Sequence, residues 1–200
     1  MSNSESVGDG VRAEYHQMPT PGHRIDRAAS PLARGDRSTI SGPSAIMVTE
    51  HLNGHLILRG LPETLSAAVV KSLGLALPIA PLTSSVQGLV CIRWLGPDEW
   101  LLTLPFDNLA QAEADLRRSG GAEIALVDVS GGQTVLLVQG DSATQVLMKS
   151  TSYDVGLQNF PVGKVVTTTF AQAQVVLRRV NDATFELILR RSFADYLWAW

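Results

Sequence analysis

The chain has 200 residues, 45% of them hydrophobic, enough for one large domain or two small ones with a buried core. A net charge of −3 and a pI near 5.8 exclude the basic balance of nucleic-acid binders and of polybasic membrane-surface proteins. One cysteine, Cys91, excludes a disulfide framework; with no apolar leader and no run of membrane-spanning length, the expectation is a soluble cytoplasmic chain.

Residues 1–45 form the first compositional block, rich in Ser, Gly, Pro and Arg and nearly empty of large apolar residues. Arg12, Arg24, Arg27, Arg34 and Arg37 are balanced by Glu5, Asp9, Glu14, Asp26 and Asp36. Such a segment cannot bury enough apolar surface to offset its ordering entropy, so an extended arm is expected, disordered in isolation unless a partner subunit holds it.

The folded part is predicted to begin near Ala45. His55–Arg59 reads as a short strand, and Gly60-Leu61-Pro62 leads into a helix with Leu65, Ala68, Val69 and Leu73 on one face, ended by Gly74. Two prolines make Leu77–Pro81 an extended connection. Strands over Gln87–Leu95 and Glu99–Leu104 flank Gly96-Pro97-Asp98, a hairpin turn. Asp107 or Asn108 caps a helix with Leu109, Ala112 and Leu116 inward, Gly120-Gly121 ends it, and Ile124–Val129 is a closing strand. Strand, helix, strand, strand, helix, strand is the split-βαβ order of ferredoxin-like domains.

After Gly131-Gly132 the pattern partly repeats. Thr134–Val138 is a strand, and Ser142–Lys149 is a helix with Ala143, Val146 and Leu147 in one stripe, Ser142 and Gln145 standing at capping-box spacing. A loop over Ser150–Gly163 precedes strands Lys164–Phe170, Gln174–Val180 and Thr184–Leu189 and a last helix from Ser192, where Ser192 and Asp195 again stand at capping-box spacing. The final strand of a second unit is missing. The predicted class is α+β, two fused ferredoxin-like units behind an extended arm: residues 1–45, 46–130 and 131–200.

The search for chemistry is mostly negative. Asp128 ends a buried strand, where an acid commonly ties off the following turn, and Ser130-Gly131-Gly132 reads as a hairpin turn rather than an anion nest. His51 and His55 are four apart but separated by the turn signal Asn53-Gly54, and no metal motif joins them or His16 and His23. Cys91 lies in an apolar run and reads as core. Neither GxGxxG nor GxxxxGK[ST] occurs, so no dinucleotide or phosphate loop is expected. No catalytic, cofactor-binding or metal-ligating residue is predicted.

Asp128-Val129-Ser130, the strand after it, and Gly140-Asp141-Ser142-Ala143 resemble the opening of the folate-binding domain of the glycine-cleavage T-protein, an aminomethyltransferase. Together with Trp94–Leu102 (WLGPDEWLL) and Arg190–Trp198 (RRSFADYLW), the block resembles the gamma subunit of heterotetrameric sarcosine oxidase, in the same order over residues 55–200. That family resemblance implies a T-protein-like fold and an assembly that oxidises the C–N bond of N-methylglycine. Its products are glycine, hydrogen peroxide and formaldehyde, or methylenetetrahydrofolate when folate is present. It further implies alpha, beta and delta partner subunits, with FAD, FMN, NAD, zinc and tetrahydrofolate held outside the gamma chain. Where the T-protein family places a folate-contacting aspartate, residues 167–176 (TTTFAQAQVV) hold no acid and no glycine, so no amide or hydroxyl there supplies a carboxylate's charge.

The expectation is therefore a structural subunit. Alternatives are a free-standing folate-dependent transferase using Asp128 or Asp154, and a small ligand-binding regulatory module. Phe193, Tyr196, Leu197 and Trp200 are expected to pack on the chain's own sheet, at i, i+3, i+4 and i+7. Trp94, Trp100, Trp198 and the arginine pairs Arg178-Arg179 and Arg190-Arg191, with Arg24 and Arg27 of the arm, are then the candidate interface residues, since Trp and Arg dominate interface hot spots.

Overall fold

A computed structural model describes residues 30–32 and 46–200; the expectations for the rest of the arm, Arg24 and Arg27 included, lie outside the described residues. Ten strands and four helices follow in chain order among them. They are β1 (Met47–His51), β2 (Asn53–Gly60), α1 (Pro62–Leu73), β3 (Ser84–Gln87), β4 (Val90–Gly96), β5 (Glu99–Pro105) and α2 (Leu109–Gly120). Then come β6 (Ile124–Asp128), β7 (Gln133–Gln139), α3 (Ala143–Ser150), β8 (Val165–Phe170), β9 (Ala173–Asn181), β10 (Thr184–Arg190) and α4 (Ala194–Ala199).

The strands make two antiparallel sheets, ordered β3-β4-β5-β2-β6 and β1-β7-β10-β9-β8. Strand alternation decides how they stack. In the first sheet Leu56, Leu58, Ile92, Trp100, Leu102 and Leu104 point toward Leu65, Val69, Leu109 and Leu116 of α1 and α2. In the second, Leu136, Val138, Val175, Leu177, Phe185 and Leu187 point toward Leu147 of α3 and Leu197 of α4. The intervening residues Leu101, Val135 and Ile188 bury against one another, with Ile57, Leu95, Val129 and Val176 around them. The sheets thus lie face to face, with the helices on the outside.

Three sequence expectations are corrected here. The strand expected over Gln87–Leu95 is a hairpin: Gly88, at φ 58°, turns β3 into β4. The missing strand of the second half is supplied by β1, whose residues 47–51 pair with 139–135 of β7, so the chain enters through the second sheet before building the first. Correspondingly, Ser130-Gly131-Gly132 is a 3₁₀ turn carrying the chain from one sheet to the other, not a hairpin turn.

The sheets then match strand for strand: β3 with β8, β4 with β9, β5 with β10, β2 with β7 and β6 with β1. The hairpin registers align residues 92–102 with 177–187, because Arg93 opposes Leu101 as Arg178 opposes Glu186, and Trp94 opposes Trp100 as Arg179 opposes Phe185. Gly60 and Gly140 end equivalent strands at φ 157° and 134°, a turn into the following helix that an L side chain rarely adopts.

Helix α1 starts on Pro62 and stops at Gly74 in the left-handed conformation, as expected. The expected side-chain caps do not form: Asn108, Ser142 and Phe193 are the N-cap residues of α2, α3 and α4, and none makes a capping hydrogen bond. Their backbones sit near ψ 0° rather than in the extended conformation that aims a cap side chain at the first free N–H groups.

Helices α3 and α4 are short, and the loop over residues 151–163 completes the second core with Val155 and Phe160, as does Leu32 of the arm. Arg179 holds that loop. Its buried guanidinium lies 4.5 Å from the Phe185 ring centroid and donates to the carbonyls of Phe160 (2.6 Å), Val155 (2.5 Å) and Asp182 (2.9 Å). Arg179→Lys replaces a three-pronged fork by a point donor, with an expected loss of about 2 kcal/mol of stability. Faster amide exchange confined to residues 153–163 is the measurement that checks it.

Candidate functional site

The structure scatters the sequence-predicted residues. Trp100 is a correction: it is fully buried beneath α1 and α2, and its indole N–H donates to the Pro78 carbonyl at 2.7 Å, so it belongs to the core. The outer-face phase of β5 puts it there. Trp94, its cross-strand neighbour, is half-buried against the same core. Trp198 is half-buried against the second core, Arg190 is exposed at the end of β10, and Arg191 is half-buried.

The C-terminal stripe follows the expectation only at Leu197. Ala194 and Leu197 are buried with Trp198 beside them, while Phe193, Tyr196 and Trp200 are exposed, Trp200 by 63%. The 3₁₀ turn Arg191–Phe193 delays the helix to Ala194, and the small Ala194 side chain lets α4 approach the sheet. Trp200 stays tethered through its indole N–H to Ser150 Oγ at 3.0 Å while most of its surface stays exposed.

Asp128 ties off its turn: Ser130 donates to Asp128 Oδ1 from its backbone N–H (2.9 Å) and its hydroxyl (2.6 Å), while His55 N–H donates to Ser130 Oγ at 2.9 Å. His51 is exposed on β1 and His55 is buried on β2, in different sheets, and no group of three metal-ligating side chains exists among the described residues. Residues 167–176, where the T-protein resemblance led to the expectation of a folate-contacting acid and the sequence has none, are the β8–β9 hairpin at the sheet edge, with Thr167 and Thr169 exposed. The residues present do not fit a folate carboxylate partner.

What sequence reasoning missed lies between the sheets. Arg178 and Arg179 are buried within the chain, which corrects their place among the interface candidates; Arg93 of β4 and Arg178 of β9, the equivalent residues of the two halves, both pair with Glu186 of β10. Arg178 Nη2 is 3.3 Å from Glu186 Oε2, Arg93 Nη2 bonds Glu186 Oε1, and Arg93 Nη1 donates to Thr103 Oγ1 at 2.7 Å. All three charged groups are buried. Burial pushes the Glu186 carboxyl up, but the attraction of Arg93 and then Arg178 outweighs it, so the acid titrates below its ordinary range. Burial, then the Arg93 charge, lowers His55 to about 4, and neither ring nitrogen has a partner. Burial raises the Cys91 thiol, which stays protonated in the same layer. The signal was two arginines amid apolar strand residues, legible only once both hairpins are in register.

The exposed apolar surface lies elsewhere. Pro62, Ala67, Val70 and Ile79, with Glu63 and Lys71 at the rim, line a shallow depression of about 610 Å³ on α1. The described residues therefore offer apolar and aromatic faces, and no metal-ligating cluster is found among them.

Comparison with known proteins identifies the family. A family model described as "Sarcosine oxidase, gamma subunit family" matches residues 61–200. The "Sarcosine oxidase subunit gamma" of Corynebacterium sp. (strain U-96) is 30% identical over 181 residues, covering 88% of this chain and 87% of that protein. The protein of the same description from Corynebacterium sp. (strain P-1) is 34% identical over 137 residues, 67% of this chain and 66% of that one. Among solved structures, a chain of the heterotetrameric sarcosine oxidase from Corynebacterium sp. U-96 superposes with a TM-score of 0.79 at 29% identity, over 86% of this chain and 92% of that chain. The aminomethyltransferase T of the Bartonella henselae glycine cleavage system shares the fold, with a TM-score of 0.56 at 17% identity over 76% of this chain and 44% of that chain. The chain belongs to the sarcosine oxidase gamma subunit family.

Proposed function

We propose that this chain is the gamma subunit of a heterotetrameric sarcosine oxidase, and that it docks and stabilises the assembly without contributing a reacting group. The observation that carries the reading is the superposition with a heterotetrameric sarcosine oxidase chain over nearly the whole length of both. Its supports are the absence of a metal-ligating cluster among the described residues and of an acid in residues 167–176. On this reading the flavins, NAD, zinc and tetrahydrofolate are bound by partner subunits in the cytoplasm, and N-methylglycine never touches this chain.

The strand orders support a finer proposal for the fold: two split-βαβ units, divided near Gly131, the second of which is completed by β1 from ahead of the first while β6 stays in the first unit's own sheet. Docking then uses the outer surface, with the α1 depression and the aromatic face around Phe193, Tyr196 and Trp200 beside Arg190 as the contact regions.

Co-expressing the candidate partner subunits with and without this chain tests the reading. The expected outcome is that omission leaves the partners poorly assembled, with sarcosine-dependent peroxide formation lost in proportion to the missing assembly. Partners that assemble and turn over normally in its absence contradict the proposal.

A further inference from the structure

We propose that the Arg93–Glu186–Arg178 cluster, with His55 beside it, is an acid-opened latch that holds the two sheets face to face. The inter-sheet layer is thin: three fully buried apolar residues join it, against seventeen in the core of the second half and sixteen in that of the first. Each half keeps its own core under its own helices, so parting the sheets does not require either half to unfold.

The charges facing Glu186 are Arg93 from β4 and Arg178 from β9; Cys91 lies on β4, His55 on β2, and Asp128 of β6 bears on His55. Thr103 of β5 is uncharged and accepts from Arg93. Two guanidinium groups and one carboxylate leave a single net positive charge in a dry layer. Protonating Glu186 and His55 leaves three positive charges and none negative there, a state that solvent relieves only if the sheets part. The Asn53 backbone favours an imidazolium, but burial and the Arg93 charge outweigh it, and neither His55 nitrogen is hydrogen-bonded in the closed layer.

The direction with pH follows. An opened His55 takes its proton near 6.5, whereas the closed layer refuses it until about 4, so acidification across that window favours the open form. The stabilisation by Glu186, complete above its ordinary 4.5, is lost as pH falls through its lowered value.

Cys91, the single cysteine, is buried in this layer and reports on opening. The experiment follows labelling of the full chain by 4,4′-dithiodipyridine from pH 7 to 3.5, normalised to a cysteine peptide, with tryptophan fluorescence recording unfolding of the outer cores. Cys91 is expected to become labelled at a higher pH than the fluorescence change. His55→Val, which installs the residue found at the equivalent position 135, should lower the labelling midpoint by about one pH unit, and Glu186→Gln should raise it by a similar amount. If Glu186→Gln does not accumulate, His55→Val decides alone. Labelling that coincides with the fluorescence change, or a midpoint unmoved by the variants, overturns the latch.

Discussion

Replacing Trp100 by alanine is expected to lower the free energy of unfolding by about 3–5 kcal/mol. The side chain is fully buried among Leu56, Leu58, Leu65 and Leu116 in the cluster under α1 and α2, so truncation removes a large apolar surface and leaves a cavity that packed neighbours cannot close. It also strands the Pro78 carbonyl, which accepts the indole N–H and fixes the extended connection after α1. Trp200→Ala is the contrast: that residue is 63% exposed, and its loss should change stability by no more than about 0.5 kcal/mol. Urea titrations of the two variants check the pair. Equal losses would mean that the burial of Trp100 contributes nothing that surface exposure does not, contrary to the packing described.

Glu186→Leu is expected to cost about 3–5 kcal/mol at neutral pH, because two guanidinium groups stay buried with their shared counter-charge gone. The triple replacement Arg93→Met, Glu186→Leu and Arg178→Met should recover most of that loss or exceed the parent, since an apolar layer avoids the desolvation of all three charges. Thr103, which accepts from Arg93, then loses one partner and limits the gain to a small one. Denaturant midpoints of parent, single and triple variants decide the matter. A single variant as stable as the parent contradicts the ion cluster as a structural element of the interface.

Much of the fold could be read along the chain, because local signals and tertiary packing agree there. Leu65, Ala68 and Val69 of α1 and Leu109, Ala112 and Leu116 of α2 repeat at helical spacing and are the buried residues of those helices. Where the two levels disagree, reading failed for identifiable reasons. The fifth strand of the second sheet comes from residues 47–51, ahead of the first sheet's strands, and nothing local says that a strand will pair with a partner nearly ninety residues away. In β3, Ser84-Ser85-Val86-Gln87 has little apolar character because it lies at a sheet edge, so its period was invisible. At the C-terminus hydrophobicity is a poor guide to burial: Leu197 of the expected stripe faces the core, but the small Ala194 joins it there in place of Phe193, Tyr196 and Trp200.

The candidate site was less legible than the fold. Arg93 and Arg178 look like surface charges in their own hairpins; only the facing of the two sheets makes them one cluster. Trp100 looked like an anchor for a partner because tryptophan is common at interfaces, but its place on the outer face of β5 puts it beneath two helices. The family could be recognised because residues 94–102, 128–143 and 190–198 are the hairpin, the inter-sheet crossover and the terminal helix, each tied to this topology.

The most direct test of the account is a pull-down of the tagged full-length chain from its host. The eluate is scanned for flavin absorbance and assayed for peroxide formed from sarcosine. The account predicts a yellow eluate with larger co-purifying chains, active with sarcosine, whose activity survives Asp128→Asn in this chain. A colourless eluate containing this chain alone, or an assembly whose turnover is abolished by Asp128→Asn while its composition is intact, would contradict it.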